Sequence, residues 1–182
     1  MRLADKVSVI RILLAPLLVA SLVYYDPTRE GLRYVAVGLF LIGVVSDALD
    51  GFIARSTRQQ SQLGTLLDPI ADKLLILSAL ISLSTIRALP AWMRIPAWFN
   101  LIVISRDVLL VVGTILLFGL TGKLVVKPSR LGKVTIVAQM LVVLTVLLNF
   151  PIKTELLIVA ACLTILSGIG YLRMGARLLG QA

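Results

Sequence analysis

The 182-residue chain contains no histidine, a single cysteine and only nine acidic residues. Without imidazole, acid–base chemistry near neutral pH falls to carboxylates, lysine or metal-bound water. One thiol, Cys162, does not make a sulfur site, so a metal centre would use oxygen ligands, which favours Mg²⁺ or Mn²⁺ over Zn²⁺. The lone cysteine also excludes a disulfide framework. Its place inside an apolar run reads as a small packing residue. The 18 Lys and Arg give a formal charge of +9, but they form no continuous basic stripe, and nucleic-acid binding is not indicated. Most stand singly at the ends of apolar segments, where they can reach anionic headgroups. The sequence also has no large soluble domain, low-complexity segment or convincing internal repeat.

What the chain does have is apolar length. Apolar residues make up 59% of it, above the usual globular level of about 45–50%. A spanning helix needs about 20 largely apolar residues. Six runs meet that need: 8–25, 32–54, 65–86, 97–119, 132–150 and 154–172. They are separated by "YDPTREG", "RSTRQQSQLG", "RALPAWMRIPAW", "TGKLVVKPSRLGK" and "NFPIK", and Pro or Gly marks most of these breaks. Arg2 and Lys6 ahead of Ile12–Ala20 resemble the charged and apolar regions of a signal peptide. The apolar stretch continues to Tyr25, however, and no small-residue cleavage site closes it. The expected fold is an all-α integral membrane protein, a single membrane domain over 1–182. It has six transmembrane helices, the first retained and preceded by a short N-terminal interfacial segment.

Six spans put both termini on one side. Arg2, Lys6, Arg11, Arg55, Arg58, Lys123, Lys127, Arg130, Lys133, Arg173 and Arg177 fall there, against Arg29, Arg33, Arg87, Arg94 and Lys153 opposite. With Lys73 and Arg106 set aside as intramembrane, this asymmetry places the termini in the cytoplasm. Trp92, Trp98, Tyr24 and Tyr25 then belong to the aromatic belt of the far side.

Against that background the stretch "SDALDGFIARSTRQQSQLGTLLDPIADK" (46–73) is anomalous, because it gathers four of the nine acidic residues at the ends of two apolar runs. A charge at mid-membrane costs about 2.5–3.5 kcal/mol on insertion scales, so the four need compensation. At 100° per residue Asp47, Asp50, Gly51, Ala54 and Arg55 share one face of the second span. Gly64, Asp68 and Asp72 follow at four-residue steps on the third. The short loop makes the two spans antiparallel neighbours, so two carboxylates from each can converge. Pro69 fits either a first helical turn or a local kink. Four carboxylates without histidine suit two divalent cations, which would cancel the charge and present Lewis acids to a phosphate substrate. Gly51, Ala54 and Gly64 leave room for phosphates or a nucleotide, and Arg55 is placed to contact phosphate oxygens. The other reading of these residues is an ion-paired bundle without catalysis, in which Asp47 or Asp50 answers Arg55.

The spacing Asp47-x2-Asp50-Gly51-x2-Ala54-Arg55-x8-Gly64-x3-Asp68-x3-Asp72 resembles the CDP-alcohol phosphotransferase signature at every fixed position. That family moves a phosphate-containing group from a CDP-linked donor to an alcohol and releases CMP. The resemblance implies metal binding by Asp47, Asp50, Asp68 and Asp72, with two Mg²⁺ or Mn²⁺ ions. It implies CDP-donor binding by Asp50, Gly51, Ala54, Arg55 and Gly64. Asp72 would also be the general base that takes the acceptor hydroxyl's proton. A homodimer is implied as well, and the Lys/Arg asymmetry puts the motif, with the termini, on the cytoplasmic face of a bacterial inner (cytoplasmic) membrane.

For the acceptor, Arg106 and Asp107 interrupt an apolar run, and "KPSRLGKVT" (127–135) brings basic residues to the start of the fifth span. These suit an acceptor that carries its own phosphate, although Arg106 can instead pair locally with Asp107 and Lys127 can serve as a headgroup anchor. "PSRLGKVT" and "SVIRILLAP" (8–16) resemble segments of phosphatidylglycerophosphate synthases. That likeness implies acceptor binding by Arg106, Ser129, Arg130 and Lys133, with CDP-diacylglycerol as donor and glycerol 3-phosphate as acceptor. Two positions depart from the pattern. Ala4-Asp5 stands where Pro-Asn is common, and Arg106-Asp107 stands where many bacterial members have Arg-Glu. The second is closer to cardiolipin synthases, which use phosphatidylglycerol, so phosphatidylglycerol and inositol phosphate remain alternative acceptors. Two further classes use intramembrane aspartates: ion-coupled transporters, which would move substrate without CMP release, and intramembrane prenyltransferases, which would consume a prenyl diphosphate.

Overall fold

The computed structural model describes the backbone of residues 3–28, 30–57, 62–121 and 130–179, and side chains over 9–28, 30–46, 73–116, 119 and 130–177. Among the described residues the elements are α1 (Leu3–Val23), α2 (Gly31–Thr57), α3 (Gln62–Thr85), a 3-10 turn (Ala91–Met93), α4 (Ala97–Thr121), α5 (Arg130–Leu147) and α6 (Lys153–Leu179). Each apolar run of the sequence is therefore a helix. Ala91–Leu116, Arg130–Leu147 and Lys153–Arg177 are long and apolar enough to cross a bilayer. Val9–Val23, Gly31–Ser46 and Lys73–Thr85 are shorter apolar stretches over their described residues.

The helix ends differ from the sequence expectation for local reasons. No Pro or Gly lies between Leu3 and Val7, and α1 already includes the residues read as an interfacial segment. α2 continues past 54 through Arg55-Ser56-Thr57. α3 starts at Gln62, which puts Pro69 inside the helix and not in its first turn. α5 stops at Leu147, short of 150, because Asn149 has φ 55°. Phe150 N–H then donates to Thr145 O (2.9 Å) and Asn149 N–H to Val146 O (3.1 Å). That pair of bonds around a left-handed residue is a Schellman stop, with asparagine in place of the usual glycine.

The chain forms two compact units, one of α1, α2, α3, the turn up to Ile95 and Val143–Phe150, the other of α4, α5 as far as Val142, and α6. In the first unit α1 packs along both α2 and α3. It presents Arg11, Ala15, Leu18 and Leu22 at steps of four, three and four residues, with Leu14 beside them and Tyr25 just past its end, all buried. The buried faces it meets are Ala36, Val37 and Phe40 on α2, and Leu75, Ile76, Ala79, Leu80 and Leu83 on α3. Lipid is as apolar as leucine, so in a bilayer such faces are held by close packing more than by transfer from water. Gly43 shows how close that packing is: a Cβ at this position would run into the Leu75 side chain.

The segment between α3 and α4 is an apolar plug, with Leu89, Met93 and Ile95 buried. Ile95 N–H donates to Leu83 O at 3.0 Å, and Arg94 Nε donates to Leu89 O at 2.8 Å. Arg33 clamps the same end. It pairs with Glu30 at 3.0 Å and lies 5.4 Å over the Trp92 ring. Two of the four belt aromatics are accordingly drawn inward: Tyr25 is buried and Trp92 half-buried, whereas Tyr24 and Trp98 are exposed. In the α1–α2 turn, Thr28 N–H donates to Asp26 Oδ1 at 2.9 Å, and this bond, with the Thr28 hydroxyl, holds the Asp26 carboxyl below its ordinary pKa.

In the second unit α4 lies against α6, and α5 is tied to α6 by a polar ladder. Thr135 Oγ1 is shared between Leu131 O (2.8 Å) and Leu163 O (3.2 Å). Gln139 Nε2 donates to Thr164 Oγ1 at 3.2 Å, and Thr164 donates to Ala160 O at 2.7 Å. Interhelical bonds of this kind contribute about 0.6–2 kcal/mol each in a membrane.

Candidate active site

The acidic motif divides between two helices of the first unit. Asp47, Asp50, Gly51, Ala54 and Arg55 fall on α2, and Gly64, Asp68 and Asp72 on α3. The side chains of all eight lie outside the described residues, but the helices fix their backbone register. Gly43 and Leu75 touch almost equally far from the α2–α3 turn, so α2 and α3 form an antiparallel hairpin. Moving from that contact toward the turn, one helical turn brings Asp47 level with Ala71 and Asp72. Two turns bring Asp50 level with Asp68, and three bring Ala54 level with Gly64. These steps of four, seven and eleven residues stay on one face of a helix. The hairpin face that is apolar at Gly43 and Leu75 thus carries two carboxylate levels and then a level of small residues. Four carboxylates from two adjacent helices, with no nitrogen or sulfur donor among them, fit a pair of hard divalent cations.

Arg106 lies on α4 in the second unit, 7% exposed. Its Nη1 donates to Asp107 Oδ1 at 2.8 Å and its Nη2 donates to Ser167 Oγ on α6 at 2.9 Å. The guanidinium carbon stands 5.8 Å from the Tyr171 ring centroid. Gly168 lies beside the Arg106 stem, and a Cβ there would meet it at ordinary van der Waals distance. Among the described residues Arg106 Nε is buried without a hydrogen-bond partner. The local pairing with Asp107 is therefore present, and it leaves one donor unspent. An unsatisfied buried donor costs about 1–3 kcal/mol, so a ligand oxygen or water at that position would be strongly favoured.

The remaining acceptor candidates sit at the start of α5. Arg130 is its first residue and Lys133 lies one turn on, both exposed. Ser129 lies outside the described residues. Neither Arg130 nor Lys133 takes part in the hydrogen bonds that gather Asp107 and Ser167 around Arg106.

Sequence reasoning missed three side chains. Ser167 and Tyr171 are separated from Arg106 by some sixty residues, and no spacing rule links them to it. Arg11 was counted with the headgroup-facing cations, but it is 1% exposed, on the α1 face that packs into the first unit. Its step from Leu14 and Ala15 was the available signal, since it places an arginine on the buried stripe.

These helices and their acidic hairpin are those of a known class. The chain belongs to the CDP-alcohol phosphatidyltransferase family, whose family model matches residues 1–166. Among individual proteins it is similar to the CDP-diacylglycerol–glycerol-3-phosphate 3-phosphatidyltransferase of Bacillus subtilis, with 34% identity over 93% of this chain and 92% of that protein. It is also similar to the enzyme of the same name from Haemophilus influenzae, with 32% identity over 92% of this chain and 89% of that one. The CMP-forming cardiolipin synthase of Homo sapiens is 36% identical over a shorter stretch, 59% of this chain and 32% of the human protein.

Proposed function

We propose that the chain transfers the phosphatidyl group of CDP-diacylglycerol to the hydroxyl of glycerol 3-phosphate and releases CMP. The observation that carries this reading is the backbone register of the α2–α3 hairpin, which supports a shared site for the aspartate positions of the family motif. Near-full-length similarity to the two glycerol-3-phosphate transferases supports the choice of acceptor. Similarity to the human cardiolipin synthase is confined to a shorter stretch, which leaves phosphatidylglycerol as the second acceptor to test.

In this reading Asp47, Asp50, Asp68 and Asp72 hold two Mg²⁺ or Mn²⁺ ions. When bound, the ions supply Lewis-acid stabilisation of charge on the phosphoryl oxygens. Asp50, Gly51, Ala54, Arg55 and Gly64 form the donor site: the small residues admit the CDP phosphates and Arg55 pairs with their oxygens. Asp72 takes the proton of the acceptor hydroxyl. The acceptor oxygen forms a bond to the phosphorus that bears the lipid, the bond from that phosphorus to CMP breaks, and CMP leaves with the electron pair. Arg106, Ser129, Arg130 and Lys133 bind the phosphate of the acceptor, and the unspent Nε of Arg106 is one donor for it. The protein is a single six-span membrane domain, homodimeric, in the bacterial inner membrane, with both termini and the active site in the cytoplasm.

The deciding experiment supplies labelled CDP-diacylglycerol with glycerol 3-phosphate, phosphatidylglycerol, inositol phosphate, inositol or serine. Glycerol 3-phosphate is expected to give the fastest CMP release. Preferred use of phosphatidylglycerol would replace it with the cardiolipin-forming reaction. Substrate movement across vesicles without CMP would point to transport. A chelator is expected to stop turnover, and Mg²⁺ or Mn²⁺ to restore it.

A further inference from the structure

Among the described residues two charged side chains are buried, Arg106 and Arg11. The first has Asp107 beside it. The second has no such neighbour in sequence, because the one acidic residue of α1, Asp5, lies six positions back and on another face. A buried guanidinium is costly unless it meets an anion, so its counter-charge must come from α2 or α3, the two helices that pack on α1.

The geometry says which part of them. Arg11 continues the stripe of Leu14, Ala15, Leu18 and Leu22 that α1 turns into the unit. Arg11 and Gly43 lie equally far from the α1–α2 turn, about 18 Å along each helix at 1.5 Å per residue. Gly43 in turn is level with Leu75. Helical side chains lean toward the N-terminus of their own helix. On α1 that direction runs away from the α1–α2 turn, toward the motif-bearing ends of α2 and α3. One turn that way, about 5.4 Å, is the level of Asp47 and Asp72. Along the backbone, Arg11 on the buried stripe of α1 and the aspartate positions of α2 and α3 thus come within one turn of the same level, with opposite signs.

We propose that Arg11 is the permanent counter-cation of the acidic hairpin, its charge set at the backbone level of Asp47 and Asp72. The inference rests on reading those aspartates as the metal site. Arg11 is a positioning residue: it holds the α2 and α3 carboxylates together when no cation is bound. It also weakens cation binding by leaving one positive charge in place, which keeps the site from holding metal too tightly to exchange.

The test uses the purified full-length chain and Mn²⁺ alone, with binding read by electron paramagnetic resonance. Arg11→Met, which keeps the bulk of the side chain without its charge, is expected to bind Mn²⁺ about five- to tenfold more tightly. It should also unfold at lower temperature than wild type in EDTA, with Mn²⁺ closing the gap. Arg11→Lys should bind Mn²⁺ as wild type does. A purely structural arginine would loosen the site or leave it unchanged, so unchanged or weaker Mn²⁺ binding by Arg11→Met overturns the proposal. Should Arg11→Met alone fail to fold, Arg11→Met combined with Asp47→Asn is expected to recover a cooperative thermal transition in EDTA, because both charges go together. No recovery in the double variant overturns the pairing. Neither readout involves lipid or CMP, so a wrong donor or acceptor would show in the transfer assay and leave this test standing.

Discussion

Arg11 in the α1–α3 unit and Arg106 in the α4–α6 unit are shielded to nearly the same degree, at 1% and 7% exposure. The chain treats them differently. Arg106 carries its counter-ion on the next residue, 2.8 Å away, and α6 adds Ser167 as an acceptor. Most of its neutralisation is local and survives any shift between α4 and α6. Arg11 has no acid at helical spacing on α1, so on the role proposed for it its neutralisation waits until α1 has packed on α2 and α3. The difference is between a cation tuned by its surroundings and a cation that makes helix packing and site assembly one event. A charge that costs about 2.5–3.5 kcal/mol at mid-membrane is affordable in the first case before folding, and in the second only through it.

Variants on the two sides should therefore fail in different ways. The largest effect is expected on the acidic hairpin. Asp72→Asn removes a proton acceptor that contributes on the order of 10²- to 10⁴-fold in general base catalysis. CMP release should fall by at least about 100-fold while the far-ultraviolet circular dichroism stays helical. Release at the wild-type rate would remove Asp72 from the base role and with it the chemistry assigned to this unit. Next is Arg106→Ala. Losing charge-assisted hydrogen bonds, worth about 1.5–3 kcal/mol, should raise the KM for the phosphate-bearing acceptor about 10- to 100-fold, with a much smaller change for the donor. A defect confined to the donor would move Arg106 out of the acceptor site.

Gly43→Ala probes the packing itself. The added methyl meets Leu75, which is buried and has little freedom to turn aside. Overpacking of this kind costs about 1–3 kcal/mol, and thermal unfolding in detergent should report it. The same shift would alter the backbone register of Asp47 against Asp72, so kcat should fall without a selective rise in either KM. An unchanged Tm and kcat would mean that the hairpin contact does not set the register of the acidic pairs.

Much of this was legible from residue order alone. Six apolar runs became six helices, because Pro, Gly and polar clusters punctuate them where helices stop. The motif aspartates fell on two helices at spacings that keep them on one face. The helix ends were less legible: the stop after Leu147 comes from an asparagine in a left-handed conformation and two specific carbonyls, which hydropathy does not register. Arg11 was read as one more cation near a membrane surface because charge counting by loops ignores which face of a helix a residue occupies. Ser167 was invisible for another reason. Its partner lies on a different helix, and serine in an apolar span usually bonds back to its own helix, as Ser21 and Ser78 do here.

Ser167 therefore supplies the finest test of the contrast. Its hydroxyl oxygen accepts from Arg106 Nη2 at 2.9 Å in a buried setting, which fixes the plane of the guanidinium while Asp107 supplies the charge. Ser167→Ala leaves the ion pair intact and removes only this orienting bond, worth roughly 1 kcal/mol. The acceptor KM should then rise about fivefold, with donor KM, kcat and Tm almost unchanged. Ser167→Thr, which keeps the hydroxyl, should restore the wild-type value. A serine that merely packed would show its loss in Tm and leave the acceptor KM alone. The corresponding change around Arg11 has no such local form: α1 offers it no acid at helical spacing, so on the proposed role disturbing it moves metal affinity and folding together.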